Sequence, residues 1–126
     1  MAEAEKKYII VVEDDQAYAN VYQKKLTNEG FEVTIIGDGS QVIKTLQERK
    51  PELLLLDLML PNTNGFEILT EIKKDPNLKE LKVVITSNLS QEEDQKKAKS
   101  LGAVDYLVKA NISVPELIAK IRQYLT

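Results

Sequence analysis

The run from Leu53 to Leu60, LLLLDLML, is apolar except for one carboxylate, Asp57, and is closed by Pro61. A short apolar run without in/out alternation, set after a helix-like segment, fits a strand of a parallel sheet that helices cover on both faces. Asp57 falls where that strand ends. The carboxyl ends of parallel strands are where open α/β sheets bind ligands, and a carboxylate beside so much apolar surface needs a partner to stay ionised. An isolated Asp is more often a turn or cap residue. The rest of the chain changes that weighting.

Around this run the sequence repeats one pattern, a short β-branched or apolar segment followed by a helical one. Tyr8 to Val12 is the first strand and ends in Glu13-Asp14-Asp15; Gln16 to Glu29 is the first helix, with Gly30 placed for a left-handed stop. Phe31 to Ile36 is the second strand. Asp38-Gly39-Ser40 starts the second helix, with Gln41 at capping-box distance from Asp38, and Pro51 marks its end. After the third strand comes a loop from Leu58 to Asn64. Helix three begins near Gly65, because Phe66, Ile68, Leu69 and Ile72 show a helical period rather than the alternation that an Asn-Gly hairpin would require. Val83 to Thr86 is strand four. Helix four, Gln91 to Leu101, is expected to be capped by Ser90 with Glu93, and Gly102 stops it. Val104 to Val108 is strand five and leads into Lys109. Ser113 with Glu116 opens helix five, whose Leu117, Ile118, Ile121 and Leu125 form an apolar stripe.

Five β-then-α units predict an α/β fold: a three-layer α/β/α sandwich on a five-stranded parallel sheet, since right-handed crossovers leave few alternatives. Strand orders 2-1-3-4-5 and 3-2-1-4-5 both satisfy the periodicity. The distribution of polar residues favours the first, in which order reverses between strands one and three, so that Asp14, Asp15 and Asp57 converge in the crevice with Thr86 and Lys109 beside them.

Composition removes most other chemistries. The chain has 126 residues, enough for one domain over 1–126 and no separate output domain, and its formal charge of -3 offers no basic footprint for nucleic acid. It contains neither Cys nor His. Thiol nucleophiles, Cys-based zinc sites, Ser-His-Asp triads and imidazole acid/base chemistry are therefore excluded. Carboxylates, hydroxyls and amines remain, which suit a hard cation such as Mg²⁺ and phosphoryl groups. The N-terminal apolar run is too short for a signal peptide or a membrane span, so the expected location is the cytoplasm, with no membrane contact. Each polar residue also has a plainer use: Asp14 or Asp15 can cap helix one, Thr86 can be a strand-end residue, and Lys109 can lie along apolar surface with its amine in water. Their joint position at the ends of the strands argues for a site.

These residues resemble the receiver domain of two-component response regulators over essentially the whole chain. Paired acids follow strand one (Glu13-Asp14-Asp15), an Asp follows strand three (Asp57), a Thr follows strand four (Thr86) and a Lys follows strand five (Lys109); a D-x-x-x-P-x-x-x-G loop stands as Asp57, Pro61 and Gly65. The resemblance implies the flavodoxin-like order 2-1-3-4-5, shared with the chemotaxis response regulator. It implies Asp57 as phosphoacceptor assisted by Thr86 and Lys109, and Mg²⁺ held by Asp14, Asp15, Asp57 and the backbone carbonyl of Met59. It also implies a switch through Thr86 and Tyr106, with Tyr106 entering space that Thr86 vacates. Met59 and Asn88 fall at the positions that flank the hydrolytic water and set the dephosphorylation rate. The family usually has Pro after the strand-five Lys, with a cis peptide; here the residue is Ala110, and the surroundings are expected to hold the cis bond nonetheless.

The function implied is a phosphoryl-accepting switch rather than an enzyme with its own substrate. Its partners would be a sensor histidine kinase or phosphotransfer protein, an output protein on the helix 4, strand 5 and helix 5 face, and a second copy if phosphorylation dimerises it. A phosphatase of the haloacid-dehalogenase type also uses an Asp nucleophile with Mg²⁺, but it places an acid two residues later, where this chain has Met59. A receiver-like binding module that is never phosphorylated would usually lack an acid, the Thr or the Lys, and none is missing.

Overall fold

A computed structural model describes residues 6–61, 63–89 and 91–125. Five strands, β1 (Tyr8–Val12), β2 (Glu32–Ile36), β3 (Leu53–Asp57), β4 (Lys82–Ser87) and β5 (Asp105–Val108), form one parallel sheet in the order β2-β1-β3-β4-β5. This is the expected 2-1-3-4-5 arrangement. Helices α1 (Gln16–Asn28) and α5 (Val114–Leu125) cover one face, and α2 (Val42–Glu48), α3 (Gly65–Lys74) and α4 (Glu92–Ser100) cover the other.

The central strand shows why a run of leucines is tolerated. Leu54 and Leu56 pack with Ile10, Val12, Val83 and Ile85 beneath α2 and α3, whereas Leu53 and Leu55 pack with Ile9, Val11, Val84 and Leu107 beneath α1 and α5. Every β3 side chain, Asp57 included, is buried. Two apolar layers therefore pin the strand from both sides. Each fully buried Leu contributes about 1.5 to 3 kcal/mol of transfer free energy, so β3 is the firmest place in the molecule to mount a reactive group.

Local signals operate at the ends of the elements. Gly30 and Gly102 have φ of 94° and 105°, the left-handed geometry expected after α1 and α4. Ser113 and Glu116 exchange side-chain-to-backbone hydrogen bonds of 3.0 and 3.2 Å, the reciprocal capping expected for α5. Asn64 caps α3 by accepting from the Phe66 amide at 2.8 Å, so the Asn-Gly pair does open a helix. In the segment before it, Met59–Leu60 and Thr63–Asn64 form a small antiparallel ladder in place of the expected loop. Asp38 does not box with Gln41. Its carboxylate accepts from the amide and hydroxyl of Ser40 and closes a 3₁₀ turn, Gly39–Gln41, that precedes α2. Ser90, expected to cap α4 together with Glu93, lies outside the described residues.

Helix α4 is the least anchored. Its only buried residue is Ala98, with Leu101 packed partly against the core just beyond its end. An element with so little apolar contact is the cheapest to displace. No helix among the described residues is long and apolar enough to cross a membrane.

Candidate functional site

Alternation along the strands decides which side chains meet. Ile9 and Val11, Leu53 and Leu55, Val84, and Leu107 all face the α1/α5 layer. Strand side chains return to the same face every second residue. Glu13, Asp57, Thr86 and Lys109 therefore continue that same side at the carboxyl edge of the sheet. The pairing agrees, with Asp57 opposite Thr86, and with the Glu13 amide bonded to the Ile36 carbonyl at 2.9 Å, one residue beyond the β1–β2 ladder.

Asp57 is held at both oxygens. Oδ1 accepts from the Met59 amide at 3.0 Å, and Oδ2 accepts from Lys109 Nζ at 2.8 Å. The same ammonium lies 2.5 Å from Glu13 Oε1 and 4.6 Å from the centre of the Tyr18 ring. Glu13, Asp57 and Lys109 are 2%, 4% and 8% exposed, so this is a buried ionic triad. Burial pushes the Glu13 carboxyl above its ordinary range, against the pull of its bond to Lys109. Burial also disfavours charge on Lys109, but its bonds to Asp57 and Glu13 outweigh this and hold the ammonium above the ordinary lysine range.

The ammonium is shared unevenly: Asp57 Oδ2 takes the well-aligned hydrogen bond, and Glu13 Oε1 is held at 2.5 Å as an ion pair outside ordinary hydrogen-bond angles. Carboxylate oxygens of Glu13, Asp14 and Asp57 lie within 4.8 Å of one another. Three clustered acids, two of them paired with one ammonium, repel each other unless another cation joins them, and an all-oxygen donor set suits a hard divalent ion. The cluster can hold such an ion. Beside it a surface cleft of about 500 Å³, lined by Asp14, Met59, Pro61 and Asn64 among others, gives access from solvent.

Three expectations need correction. Asp15 is not in the cluster: it caps α1, accepting from the amides of Ala17 and Tyr18 at 2.9 and 3.3 Å, and Glu13 takes the place expected of it. The signal for Glu13 was available in the alternation, since position 13 follows 9 and 11 on the face that 57 shares with 53 and 55. The bond between Lys109 and Ala110 is trans, as no described peptide bond is cis. A cis bond before a non-proline residue costs about 2.5 to 4 kcal/mol, and nothing here outweighs that. Lys109 reaches Asp57 regardless, from a 3₁₀ turn, Lys109–Asn111, that follows β5. Finally, Tyr106 is already inside. Its ring is buried and its hydroxyl donates to the Leu89 carbonyl at 2.8 Å, with burial raising its pKa, so no space has to be vacated for it. Thr86 is buried beside Asp57, while Met59 and Asn88 are exposed at the rim.

Comparisons with known proteins point the same way. The family model for the response regulator receiver domain matches residues 9–122. The phosphate regulon transcriptional regulatory protein PhoB of Rhizobium meliloti (strain 1021) is 37% identical over 117 residues, 93% of this chain and 51% of that protein. The chain thus spans about half the length of the curated relatives it matches, which include DNA-binding response regulators. Among solved structures, a CheY-like response regulator receiver domain protein from Methanospirillum hungatei JF-1 superposes with a TM-score of 0.88 at 26% identity, covering 96% of this chain and 94% of that one. The Mn²⁺-bound form of response regulator Rcp1 gives 0.80 at 32% identity, covering 93% and 90%. A match from β1 to the last turns of α5, on a sheet whose carboxyl edge gathers these acids and this lysine, establishes that the chain belongs to the response regulator receiver domain family.

Proposed function

We propose that the chain is a phosphoryl-accepting switch in which Asp57 takes a phosphoryl group from a phosphohistidine on a partner, a sensor histidine kinase or phosphotransfer protein. The observation that carries this reading is the position of Asp57: a buried carboxylate at the end of the most deeply buried strand, with its oxygens oriented by the Met59 amide and the Lys109 ammonium. Asp57 attacks phosphorus as the phosphorus–nitrogen bond to the donor imidazole breaks, giving an aspartyl phosphate. Lys109 is placed to follow the phosphoryl oxygens. Thr86, next to Asp57 across the β3–β4 ladder, offers a hydroxyl to another.

Mg²⁺ fits the three converging carboxylates and would be held by Glu13, Asp14 and Asp57, with the backbone carbonyl of Met59 as the further ligand that the family resemblance implies; when bound it would neutralise the acids and the charge that develops on the transferred group. The Mn²⁺-bound relative supports a divalent ion here. Incubation with Mg²⁺ and acetyl phosphate should add one phosphoryl group by intact mass. No addition, under conditions that phosphorylate a control receiver, contradicts the reading.

The signal should leave through α4, β5 and α5, toward an output protein or a second copy of the chain. With Tyr106 already bonded to the Leu89 carbonyl, phosphorylation acts by fixing the turn from Ser87 to Leu89 in this arrangement through Thr86, a population shift rather than admission of the ring. Beryllofluoride with Mg²⁺ should slow amide exchange across residues 87–109. Protection confined to the loop around Asp57 would count against this route.

Lifetime is governed at the rim. Met59 is 58% exposed and cannot orient a water, whereas its thioether can cover the phosphoryl group; Asn88 is a neutral amide with no capacity as a base. Positioning a water is worth large factors in rate. Replacing Met59 with Asn should therefore shorten the half-life of the aspartyl phosphate after acetyl phosphate is removed, and an unchanged or longer half-life would show that Met59 is no shield.

A further inference from the structure

The connection from β2 to α2 carries none of the acids, yet it touches both loops that do. On one side the Ile36 carbonyl accepts the Glu13 amide at 2.9 Å, which fixes the exit of β1. On the other side Gly39 is buried against Thr63, in the loop that follows Asp57. A Cβ on Gly39 would lie 2.7 Å from Thr63 Cβ and 2.9 Å from its Cγ2, distances that real Cβ atoms essentially never show, and 3.0 Å from its Oγ1, which is tight. The reason for glycine is space and not conformation, because the left-handed φ values among the described glycines belong to Gly30 and Gly102.

The contact is stiff at both ends. Asp38 locks the Gly39–Gln41 turn, its carboxylate accepting from the Ser40 amide at 2.9 Å and the Ser40 hydroxyl at 2.8 Å. Thr63 is locked in the small ladder, paired with Leu60, while Asn64 pairs with Met59. The Met59 amide in turn holds Asp57 Oδ1. Farther along, Gly65 closes the same loop, since a Cβ there would meet Leu58 Cα at 2.6 Å and the Asp57 carbonyl at 2.8 Å. Among the described residues, a push on Thr63 passes through one ladder pair to the segment that orients Asp57.

We propose that Gly39 is a positioning residue for the cation site. Its missing side chain is the socket in which Thr63 sits, and the turn that carries it sets the separation between the loop bearing Glu13 and Asp14 and the loop bearing Asp57 and Met59. This rests on the reading of the acidic cluster as a divalent-cation site. Groups that orient metal ligands from outside the coordination shell commonly change affinity by large factors when altered.

The test is a double-mutant cycle on the purified chain with Mn²⁺ as probe, comparing wild type, Gly39→Ala, Thr63→Gly and the double variant. Free Mn²⁺ is read by electron paramagnetic resonance, and the folded fraction of each metal-free sample is checked by near-ultraviolet circular dichroism. Thr63→Gly removes all three atoms that a Cβ on residue 39 would strike. Gly39→Ala in the wild-type background should weaken Mn²⁺ binding by about tenfold or more while the protein stays folded. In the Thr63→Gly background the same change should have little effect. Equal losses in both backgrounds, or wild-type affinity in Gly39→Ala, overturn the proposal. Should Gly39→Ala fail to fold, a double variant that folds and binds as Thr63→Gly does supports the contact, and one no better than Gly39→Ala overturns it. A wild-type chain that binds no Mn²⁺ instead removes the cation-site reading itself.

Discussion

Asp57→Asn should abolish phosphoryl uptake from acetyl phosphate, by roughly 10³-fold or more, because the change removes the attacking oxygen and not merely a neighbour of it. The fold should survive. Asn keeps the volume of the side chain and can still accept from the Met59 amide, and Lys109 keeps Glu13 as an ionic partner. Removing one of three clustered acids also relieves repulsion, so the denaturant midpoint of the metal-free protein should stay the same or rise. Divalent-cation affinity should fall, since one of the converging carboxylates is gone. Intact mass after acetyl phosphate treatment, with a urea titration beside it, checks both halves. Uptake at the wild-type rate and stoichiometry would place the phosphoacceptor elsewhere.

Lys109→Ala should produce the largest loss of stability at the site. The side chains of Glu13, Asp57 and Lys109 are all about one-twentieth exposed or less, so deleting the ammonium strands two buried carboxylates. Breaking one partner of such a pair costs about 3 to 5 kcal/mol, a large share of the total for a domain of this size. The loss should be greatest in chelator and smaller with millimolar Mg²⁺, because a bound cation supplies part of the missing positive charge. The raised pKa of Lys109 means that its stabilisation is complete below the ordinary lysine range and is lost only as pH rises through the higher folded value, so at neutral pH the pairing is fully present. Urea titrations with and without Mg²⁺ measure the difference. An unchanged midpoint in chelator would mean that the triad is not the buried ionic unit described here.

Much of the architecture was legible because its causes are local. The apolar run at Leu53 to Leu56 has no alternation, which fits a strand covered on both faces, and the glycines at 30 and 102 stand where helices turn through left-handed backbone. Asp57, Thr86 and Lys109 were legible as strand-end polar residues. Glu13 and Asp15 were exchanged for a physical reason: a cap and a metal ligand are the same residue type, and only the phase of the strand separates them. Counting by twos from Ile9 selects Glu13, whereas counting acids selects the wrong pair.

Other features depend on contacts that no spacing encodes. The trans bond at Ala110 reflects the intrinsic cost of cis outweighing a geometry that the resemblance carried over from Pro. The inward position of Tyr106 depends on the Leu89 carbonyl, 17 residues away in sequence. The fit of Gly39 against Thr63 brings together loops that follow different strands. Such contacts set the precision of a site whose residue types the sequence already displays.

The most direct measurement is chemical. Wild-type protein treated with Mg²⁺ and acetyl phosphate, then reduced with borohydride, should carry homoserine in place of aspartate at position 57 and at no other acid, as peptide mass analysis reads it. A reduced residue at Asp14, Asp15 or any other carboxylate, or none at all in protein that has gained a phosphoryl group, would contradict the assignment of Asp57.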